Sequence, residues 1–442
     1  MSNSTSELPI HSESDHVYRK ITLRIVPLLF VCYMLNYIDR VNIGYAQLQM
    51  KSSLGFSDAV FGLGASIFFL GYFIFEVPSN LLLHKIGVRK TLLRIMVGWG
   101  LASACLMFVS TPTQFYAVRF FIGMFEAGLF PGMMLYLTYW FPPARRARVV
   151  ALFMLATAAA GIVGGPVSGW ILQNMNNIHG LQGWQWMFVI EGLPCCLLGV
   201  VAYRYLADSP AKANWLTEAQ KSMVLADLSS ASPSSTQSRS PFSDPKVYLL
   251  SFVLFCMLCG SYTIAFWLPT AIRDLGVSNF QHIGYYAMIP DLLAAVCTIF
   301  YSRHSDKHLE RRWHFIAAAL IAALALSSTA FTTNSLGLSI MMFAIARAAI
   351  VSSLPVFWAM TTTVLSTRSS VAGIAVISSL SNFSGMTSPY LIGLVKTATG
   401  SLTYGLFTIS SIIVVAALCV FFRVPRQPRT RDALKSAEVS RV

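Results

Sequence analysis

The apolar residues of this chain are gathered into twelve continuous blocks, and the length of these blocks constrains the fold more than any other feature. A bilayer hydrocarbon core is about 30 Å thick and takes roughly 20 apolar helical residues to cross. Because the blocks are continuous rather than alternating, they indicate helices and exclude the strands of a membrane barrel. The sequence therefore predicts an all-α membrane protein with twelve transmembrane helices, at approximately 22–45, 58–82, 91–110, 114–138, 147–172, 186–206, 247–270, 282–302, 314–331, 337–363, 371–395 and 403–423.

The composition agrees with lipid as the solvent for most of the chain. Of the 442 residues, 55% are hydrophobic and only 11% are charged, which is too apolar for a soluble chain of this length. The first block contains Asp39 and Arg40 and lacks a small-residue cleavage site, so it is not interpreted as a removed signal peptide. The eight cysteines show no metal-ligand spacing, and we expect neither a metal nor another cofactor.

The net charge of +14 reports orientation in the membrane rather than a nucleic-acid partner. All but six of the 32 Lys and Arg residues lie in the termini, in alternate loops or at the ends of the blocks beside these segments. This asymmetry follows the positive-inside rule and predicts that both termini are cytoplasmic. We expect an integral protein of the bacterial inner membrane that contacts the lipid bilayer, binds no nucleic acid and acts as a monomer.

One long polar interruption divides the blocks into two sets of six. It is rich in serine between Ser229 and Ser240, which is typical of a flexible linker. We divide the chain into an N-terminal cytoplasmic tail (1–21), an N-terminal six-helix half (22–206), a cytoplasmic linker (207–246), a C-terminal six-helix half (247–423) and a basic cytoplasmic tail (424–442).

Two basic loops at corresponding positions of the halves carry a first family resemblance. The sequence HKIGVRK lies at 84–90 after the second block, and DKHLERR lies at 306–312 after the eighth. With the six-plus-six arrangement, these loops resemble the loop motif of the major facilitator superfamily, although the second loop lacks the glycines of that motif. The resemblance implies two six-helix halves that rock about a binding site near the membrane midplane.

Six further segments resemble the anion:cation symporter family within that superfamily, and they extend over essentially the whole membrane domain. They are NYIDRVN at 36–42, EVPSN at 76–80, RFFIGMFEAG at 119–128, YWFP at 139–142, GWQWMFVIEG at 183–192 and PYLIG at 389–393. The members that these segments match are the tartrate- and phthalate-type permeases of bacteria. The resemblance implies import of a small organic anion substrate, a carboxylate, together with protons.

Ionisable side chains inside the predicted helices are the candidate functional residues. Each costs at least about 2.5–3.5 kcal/mol at the bilayer centre on insertion scales, so each needs a partner or a function. The guanidinium groups of Arg40 and Arg119 match the planar geometry of a carboxylate, and we expect them to bind substrate. Glu126 lies two helical turns after Arg119 on the same face, and it is a candidate to load and release a proton. The alternative is that these groups form ion pairs that only lock helices together.

The family resemblance adds roles to this set of charges. Asp39, Arg40, Arg119 and Glu126 match the positions of the family's substrate and proton groups. Asp39 either holds the neighbouring Arg40 in place or titrates when substrate displaces it. Glu76 is a further candidate for proton coupling.

A second set of charges falls outside the resemblance. Asp291 directly follows Pro290 in the eighth block, and Arg347 lies near the middle of the tenth. We expect the two to pair in the resting state, with Asp291 a candidate for proton coupling and Arg347 available to bind a second acidic group of the substrate. This interpretation favours a dicarboxylate such as tartrate or phthalate, and a purely structural pair is the alternative.

Aromatic and small polar residues complete the predicted substrate site, because hydroxyl and amide groups can hydrogen-bond substrate hydroxyls. The family resemblance supports Tyr37, Tyr72 and Trp358 in particular. Asparagine is expected at the position of Ser378 in several sugar-acid relatives, and its absence argues against that substrate class. The full set is Tyr37, Tyr72, Thr157, Trp267, Trp358, Ser378 and Asn382.

The predicted function is secondary active import of a small organic anion by proton symport with alternating access. The main alternative is proton-coupled export of a lipophilic drug or metabolite, but three intramembrane arginines argue against the largely apolar site that such an exporter needs. A membrane receptor or sensor is a more remote alternative. No enzyme is predicted, because the sequence shows no nucleophile with a matched base and no phosphate loop.

Overall fold

The structure is a computed structural model that describes residues 8–230, 244–308, 310–365 and 370–424. Its regular elements within these ranges are helical, with one isolated β-bridge between Ile178 and Leu181. The α-helices are α1 (Leu8–Val41), α2 (Ile43–Leu54), α3 (Asp58–Ile86), α4 (Val88–Cys105), α5 (Pro112–Glu126), α6 (Leu129–Thr138), α7 (Pro143–Asn174), α8 (Gly183–Tyr205), α9 (Glu218–Ser230), α10 (Pro245–Asp274), α11 (Phe280–His308), α12 (Arg312–Ser328), α13 (Leu336–Val364), α14 (Ser370–Ser381), α15 (Phe383–Thr399) and α16 (Leu402–Arg423).

The described part of the chain contains eleven helical spans that are long and apolar enough to cross a membrane. The prediction of an all-α membrane protein is therefore confirmed. The predicted block at 371–395, which is not among the eleven, corresponds to α14 and α15, two separate helices that meet at Asn382. The predicted tail at 424–442 and the serine-rich part of the linker lie almost entirely outside the described residues.

Local sequence signals explain where several helices begin and end. Thr111 caps α5, because its hydroxyl accepts a hydrogen bond from the backbone N–H of Gln114 while the Gln114 side chain accepts one from the Thr111 backbone. Pro112 occupies the first turn of α5, where its missing N–H leaves no helical bond unmade. At the end of α15, Gly400 adopts the left-handed conformation that glycine tolerates best.

The chain divides into two compact units, which we call unit 1 and unit 2. Unit 1 comprises residues 1–42, 67–164 and 174–235, and unit 2 comprises residues 43–66, 165–173 and 236–442. Segment 43–66 contains α2 and the first part of α3, and it belongs to unit 2 even though the helices around it in sequence belong to unit 1.

Glycines set the helix spacing in unit 1. A Cβ built on Gly100 of α4 would lie 2.7 Å from the carbonyl oxygen of Gly192 in α8, so these two helices pack backbone to backbone. The same holds for α3 and α5, where a Cβ on Gly71 or Gly123 would collide with the carbonyl oxygen of Phe120 or Phe68, respectively.

The chain after α8 docks on the helices of unit 1. Trp215 stacks on Trp140, with ring centroids 5.5 Å apart and planes 10° apart. The Arg24 guanidinium lies 5.0 Å from the Trp215 ring centroid, within the range of a cation–π interaction. Farther along, the Tyr18 hydroxyl donates to the carboxylate of Asp227 in α9 at 3.1 Å. The predicted linker thus contains α9, which contacts α1.

Close backbone contacts also build unit 2. A Cβ on Gly44 would lie 2.6 Å from the carbonyl oxygen of Phe266 in α10, and a Cβ on Gly62 would lie 2.6 Å from that of Pro389 in α15. The Gln47 amide donates to the hydroxyl of Thr270 at 2.5 Å. Segment 43–66 is thereby fixed against α10 and α15.

Candidate functional site

Breaks in three helices position many of the candidate residues. Asn42 separates α1 from α2 and places Arg40 at the end of α1. Gly128, which has a φ of 89°, follows the end of α5 at Glu126 and precedes α6. Asn382 separates α14 from α15. An interrupted helix exposes backbone polar groups and helix ends in the membrane interior, and such interruptions are typical of transporter binding sites.

Arg40 and Glu126 form the central ion pair of unit 1. The Nε atom of Arg40 donates to Oε1 of Glu126 at 3.0 Å, and Nη2 of Arg40 contacts the same oxygen. The Glu126 side chain is completely buried, and that of Arg40 is 12% exposed. Oε2 of Glu126 is buried and has no hydrogen-bond partner among the described residues. One carboxylate oxygen therefore binds the arginine, while the other is available to a proton or to a hydroxyl donor.

Aromatic rings surround the two arginines of unit 1. The Phe68 ring lies 4.8 Å from the guanidinium of Arg119 and 5.4 Å from that of Arg40. The Tyr72 ring lies 5.4 Å from the guanidinium of Arg40. Arg119 is completely buried. Ring faces attract cations without neutralising them, so these rings add no negative charge beside the guanidinium groups.

Asp39 is bound by neutral donors instead of by Arg40. Its Oδ1 accepts hydrogen bonds from the Ser103 hydroxyl at 2.5 Å and the Asn42 amide at 3.1 Å, and its Oδ2 accepts from the Trp99 indole at 2.6 Å. The Asn42 amide also donates to Glu191 at 3.0 Å. These bonds hold a carboxylate with 1% exposure in one orientation.

Unit 2 contains its own buried arginine. The Nε atom of Arg347 donates to Oδ1 of Asp291 at 2.7 Å, and its Nη1 donates to the Ser261 hydroxyl at 2.8 Å. The Arg347 side chain is 6% exposed and that of Asp291 is 19% exposed. Arg347 and Asp291 thus form the ion pair that was expected of two isolated charges in apolar blocks.

The remaining candidates are more dispersed. Glu76 lies one turn after Tyr72 and is partly buried, and Tyr37 is also partly buried. The Thr157 hydroxyl donates to the carbonyl of Met154 within its own helix at 2.9 Å. Trp267 is buried 6.0 Å from the Nζ of Lys396. Ser378 lies in α14, and Asn382 lies at the break between α14 and α15. Trp358 lies in α13, and all three side chains are partly buried.

Sequence reasoning missed the neutral partners of the charged groups. They are Phe68, Asn42, Trp99, Ser103 and Ser261. Phe68, Tyr72 and Glu76 recur at intervals of four residues, which places them on one face of α3, and this periodicity was the available signal. A tryptophan in the middle of an apolar block, such as Trp99, was a weaker signal. Within the described residues, no group of three or more His, Cys, Asp or Glu side chains is placed to hold a metal ion.

Paired buried charges beside breaks in membrane-spanning helices are typical of membrane transporters. The sequence profile of the Major Facilitator Superfamily matches residues 29–389 of the chain. The chain belongs to this superfamily.

Relatives and solved structures agree with this assignment. The chain is 41% identical to a Pseudomonas putida protein named "Putative metabolite transport protein NicT" over 93% of this chain and 96% of the relative. It is 43% identical to an Agrobacterium vitis protein named "Putative tartrate transporter" over 91% of this chain and 93% of the relative. The match to a tartrate-type transporter confirms the resemblance found in the sequence segments.

Two further comparisons are with a relative named for drug resistance and with a solved structure. The chain is 34% identical to an Acinetobacter baumannii protein named "Quinolone resistance transporter" over 93% of this chain and 96% of the relative. A crystal structure of a bacterial homologue of the human lysosomal transporter Spinster has the same fold, with a TM-score of 0.75, 17% identity, and coverage of 91% of this chain and 96% of that chain.

Proposed function

We propose that the protein imports a small carboxylate by proton symport with alternating access across the bacterial inner membrane. Both termini are proposed to be cytoplasmic, and the working unit is proposed to be a monomer. The observation that carries the proposal is the buried pair of Arg40 and Glu126, in which the second carboxylate oxygen has no partner among the described residues. Relatives with a tartrate transporter's name support the substrate class.

Substrate and proton are proposed to couple through exchange of partners at Arg40. A substrate carboxylate is proposed to bind Arg40 at Nε and Nη2, the edge of the guanidinium that Glu126 occupies, and so to take the place of Glu126. Removing one partner of a buried ion pair costs about 3–5 kcal/mol, since an uncompensated charge remains. A proton on Glu126 removes that cost, so anion and proton bind together. When the proton leaves on the cytoplasmic side, the Glu126 carboxylate returns to Arg40 and displaces the substrate.

Arg119 and Asp39 support this exchange in different ways. Arg119 is proposed to bind the same anion, because its guanidinium faces the Phe68 ring beside Arg40. Asp39 accepts hydrogen bonds from three neutral donors, which hold its carboxylate away from Arg40. The proton-coupling role proposed for it is therefore secondary to that of Glu126.

Arg347 is proposed to bind a second acidic group, which would favour dicarboxylates. Its counterion Asp291 keeps 19% side-chain exposure and can release the guanidinium. Competition for uptake tests this step. Arg347→Gln should weaken inhibition by tartrate more than inhibition by a monocarboxylate such as lactate. An equal loss for both acids would contradict the second-acid role.

Uptake into proteoliposomes tests the proposed function. Radiolabelled tartrate should accumulate when an inwardly directed pH gradient is imposed, and Arg40→Met and Arg119→Met should each abolish accumulation. Arg145→Met is the matched control, because Arg145 pairs with Asp15 and is 37% exposed. Tartrate uptake that is independent of Arg40 and Arg119, or that needs neither a pH gradient nor a membrane potential, would refute the proposal.

Export of a lipophilic drug is the second candidate, because one relative is named for quinolone resistance. The two buried guanidinium groups of unit 1 favour an anionic substrate over such a compound. Efflux of ethidium, a lipophilic cation without a carboxylate, from loaded proteoliposomes distinguishes the two functions. If the protein is a carboxylate importer, we expect the wild type to release ethidium no faster than the Arg40→Met variant does.

A further inference from the structure

Unit 2 contains an open cavity of about 700 Å³. Its walls come from the connection between α2 and α3, the end of α10, the end of α12 and start of α13, and the turn between α15 and α16. These connections alternate along the sequence with the basic loops, so in the orientation proposed above the cavity opens to the outside of the cell. The lining includes two lysines, two aspartates and seven serine or threonine residues.

The two lysines are paired, but their pairs are built in opposite ways. Lys396 is 6% exposed, and its Nζ lies 2.7 Å from Oδ2 of Asp274, whose side chain is 49% exposed. Lys51 is 52% exposed, and its Nζ lies 2.7 Å from Oδ2 of Asp58, whose side chain is 10% exposed. The first pair thus has a fixed cation with an accessible counterion, and the second has a fixed anion with an accessible counterion.

Helix ends make the Asp274 carboxylate easy to displace. Asp274 is the last residue of α10, where the negative end of the helix dipole disfavours an anion. Lys396 lies in the last turn of α15, where the same effect favours a cation. Asp58 begins α3, where the positive end of the helix dipole stabilises its carboxylate. Of the two buried charges, Lys396 is therefore the one whose accessible counterion is disfavoured by its own helix end.

We propose that this cavity is a second anion site, which binds a small hydroxylated carboxylate at Lys396 in place of Asp274. Hydroxyl side chains of the lining, Thr333 and Thr403 in particular, can supply hydrogen bonds for the hydroxyl groups of such a ligand, whereas the other five already bond within the protein. The volume is far larger than a halide needs. The site shares no residue with the ion pairs of Arg40 and Arg347, and it does not depend on the transport function proposed for them.

The two members of the ion pair are expected to respond in opposite directions. Tartrate is titrated into the purified full-length protein at constant ionic strength, and the heat of binding is measured. Lys396→Met should remove one of two tartrate sites. Asp274→Asn should tighten that site by about two- to fivefold, because the competing carboxylate is gone and one partly screened ion pair is worth up to about 1 kcal/mol. If both substitutions weaken binding, or if neither changes it, the pair is structural and the proposal is wrong.

Further variants separate this site from the proposed transport site and from misfolding. Arg145→Met is the control, because Arg145 forms a surface ion pair with Asp15 and is not part of the cavity lining, and it should leave both sites unchanged within twofold. In an Arg119→Met background one tartrate site should remain, and Lys396→Met should then abolish it. If Arg119→Met changes nothing while Lys396→Met still removes a site, the transport proposal fails and this one stands. Asp274→Asn keeps the test valid if Lys396→Met does not fold.

The ligand class has its own test. Succinate has the carbon skeleton and both carboxylates of tartrate but no hydroxyl groups. At the Asp274→Asn site, succinate should bind more weakly than tartrate, on the order of tenfold for the loss of hydroxyl hydrogen bonds. Equal binding of succinate, or displacement of tartrate by an equal concentration of chloride, would overturn the assignment to hydroxylated carboxylates.

Discussion

Asp39 and Arg40 are consecutive residues of α1, but their side chains bind different kinds of partner. Asp39 accepts hydrogen bonds from neutral groups, and Arg40 binds the carboxylate of Glu126. Successive residues of a helix point about 100° apart, so one helix end can serve two networks. Only the Arg40 network contains a counterion that a substrate anion can replace, and the first prediction concerns that counterion.

Glu126→Gln should uncouple transport from the pH gradient. Glutamine can still accept a hydrogen bond from Arg40, but it cannot take up a proton. Accumulation of tartrate driven by a pH gradient should therefore fall to the equilibrium level, while exchange of labelled for unlabelled tartrate at equal pH continues. The two rates are measured in the same proteoliposomes. Gradient-driven accumulation at the wild-type level would contradict the role given to Glu126.

Trp99→Phe should destabilise the fold through Asp39. The substitution keeps an aromatic ring but removes the indole donor from a completely buried carboxylate oxygen. Loss of one partner of a buried polar group costs about 1–3 kcal/mol, and the thermal unfolding midpoint in detergent should fall accordingly. Trp313→Phe is the control, because Trp313 is 44% exposed. Equal midpoints for the two variants would show that the bond to Asp39 contributes little.

Gly123→Ala should separate α3 from α5 and weaken tartrate binding. The added methyl group would collide with the carbonyl oxygen of Phe68, which is backbone and cannot rotate away. Overpacking costs about 1–3 kcal/mol and displaces the Phe68 ring from Arg40 and Arg119. Gly337→Ala, whose Cβ would have no neighbour within 4 Å, is the control for calorimetric affinity and thermal stability. Unchanged affinity in Gly123→Ala would exclude this spacing effect.

Trp215→Ala should release α9 from unit 1. The substitution removes the stack on Trp140 and the ring that faces Arg24. Trypsin cleavage after Lys221, which lies in α9, should become several-fold faster because the local opening free energy falls. Leu225→Ala is the control, since Leu225 lies on the same helix and is 43% exposed. If both variants are cleaved at the wild-type rate, the stack does not hold α9.

Glu310 should stabilise the start of α12 only above acidic pH. Partial burial acts to raise the pKa of Glu310, but hydrogen bonds from the backbone N–H of Trp313, at 2.7 Å, and from the side chain and backbone of His314 outweigh it and lower the pKa. A lowered pKa means that the stabilisation is present above the unfolded value, about 4.3, and is lost as pH falls through the folded value.

Thermal unfolding of Glu310→Gln at two pH values checks this prediction. The variant should be less stable than wild type at pH 7, and the difference should shrink at the lowest pH that the protein tolerates. Glu218→Gln is the control, because the Glu218 side chain is 89% exposed. A deficit that stays constant with pH would show that the charge of Glu310 is not responsible.

The helical fold could be predicted from the sequence because block length and continuity follow directly from bilayer thickness. The exact positions of the breaks at Asn42 and Gly128 could not be predicted. Asn42 has no proline beside it, and although Pro131 shortly after Gly128 favours a break in that region, both breaks depend on contacts with other helices. A Cβ on Gly128, for example, would lie 2.5 Å from the hydroxyl of Ser79 in α3, so that break is tied to tertiary packing.

Partners within the site were predictable only where chemistry left few choices. Arg347 and Asp291 were isolated charges in apolar blocks of the same half. Their pairing was predictable from the free-energy cost of leaving either charge without a partner inside the membrane. Arg40 had several carboxylates within reach, including the adjacent Asp39, and the rotation of each helix decides which one it binds. Such rotations are set by backbone contacts such as that of Gly123 with Phe68, which no single-residue property reveals.

The backbone contact between α3 and α5 also bears on how specificity can diverge in this protein. Since Gly71 and Gly123 are constrained by main-chain distance, they offer no route to a new substrate. Residues whose side chains face the arginines, such as Phe68 and Tyr72, can vary in size and polarity while the helix axes stay in place. Directed-evolution libraries that fix the two glycines and randomise those rings should therefore yield more folded variants with altered substrate range than libraries of equal size spread over both helices.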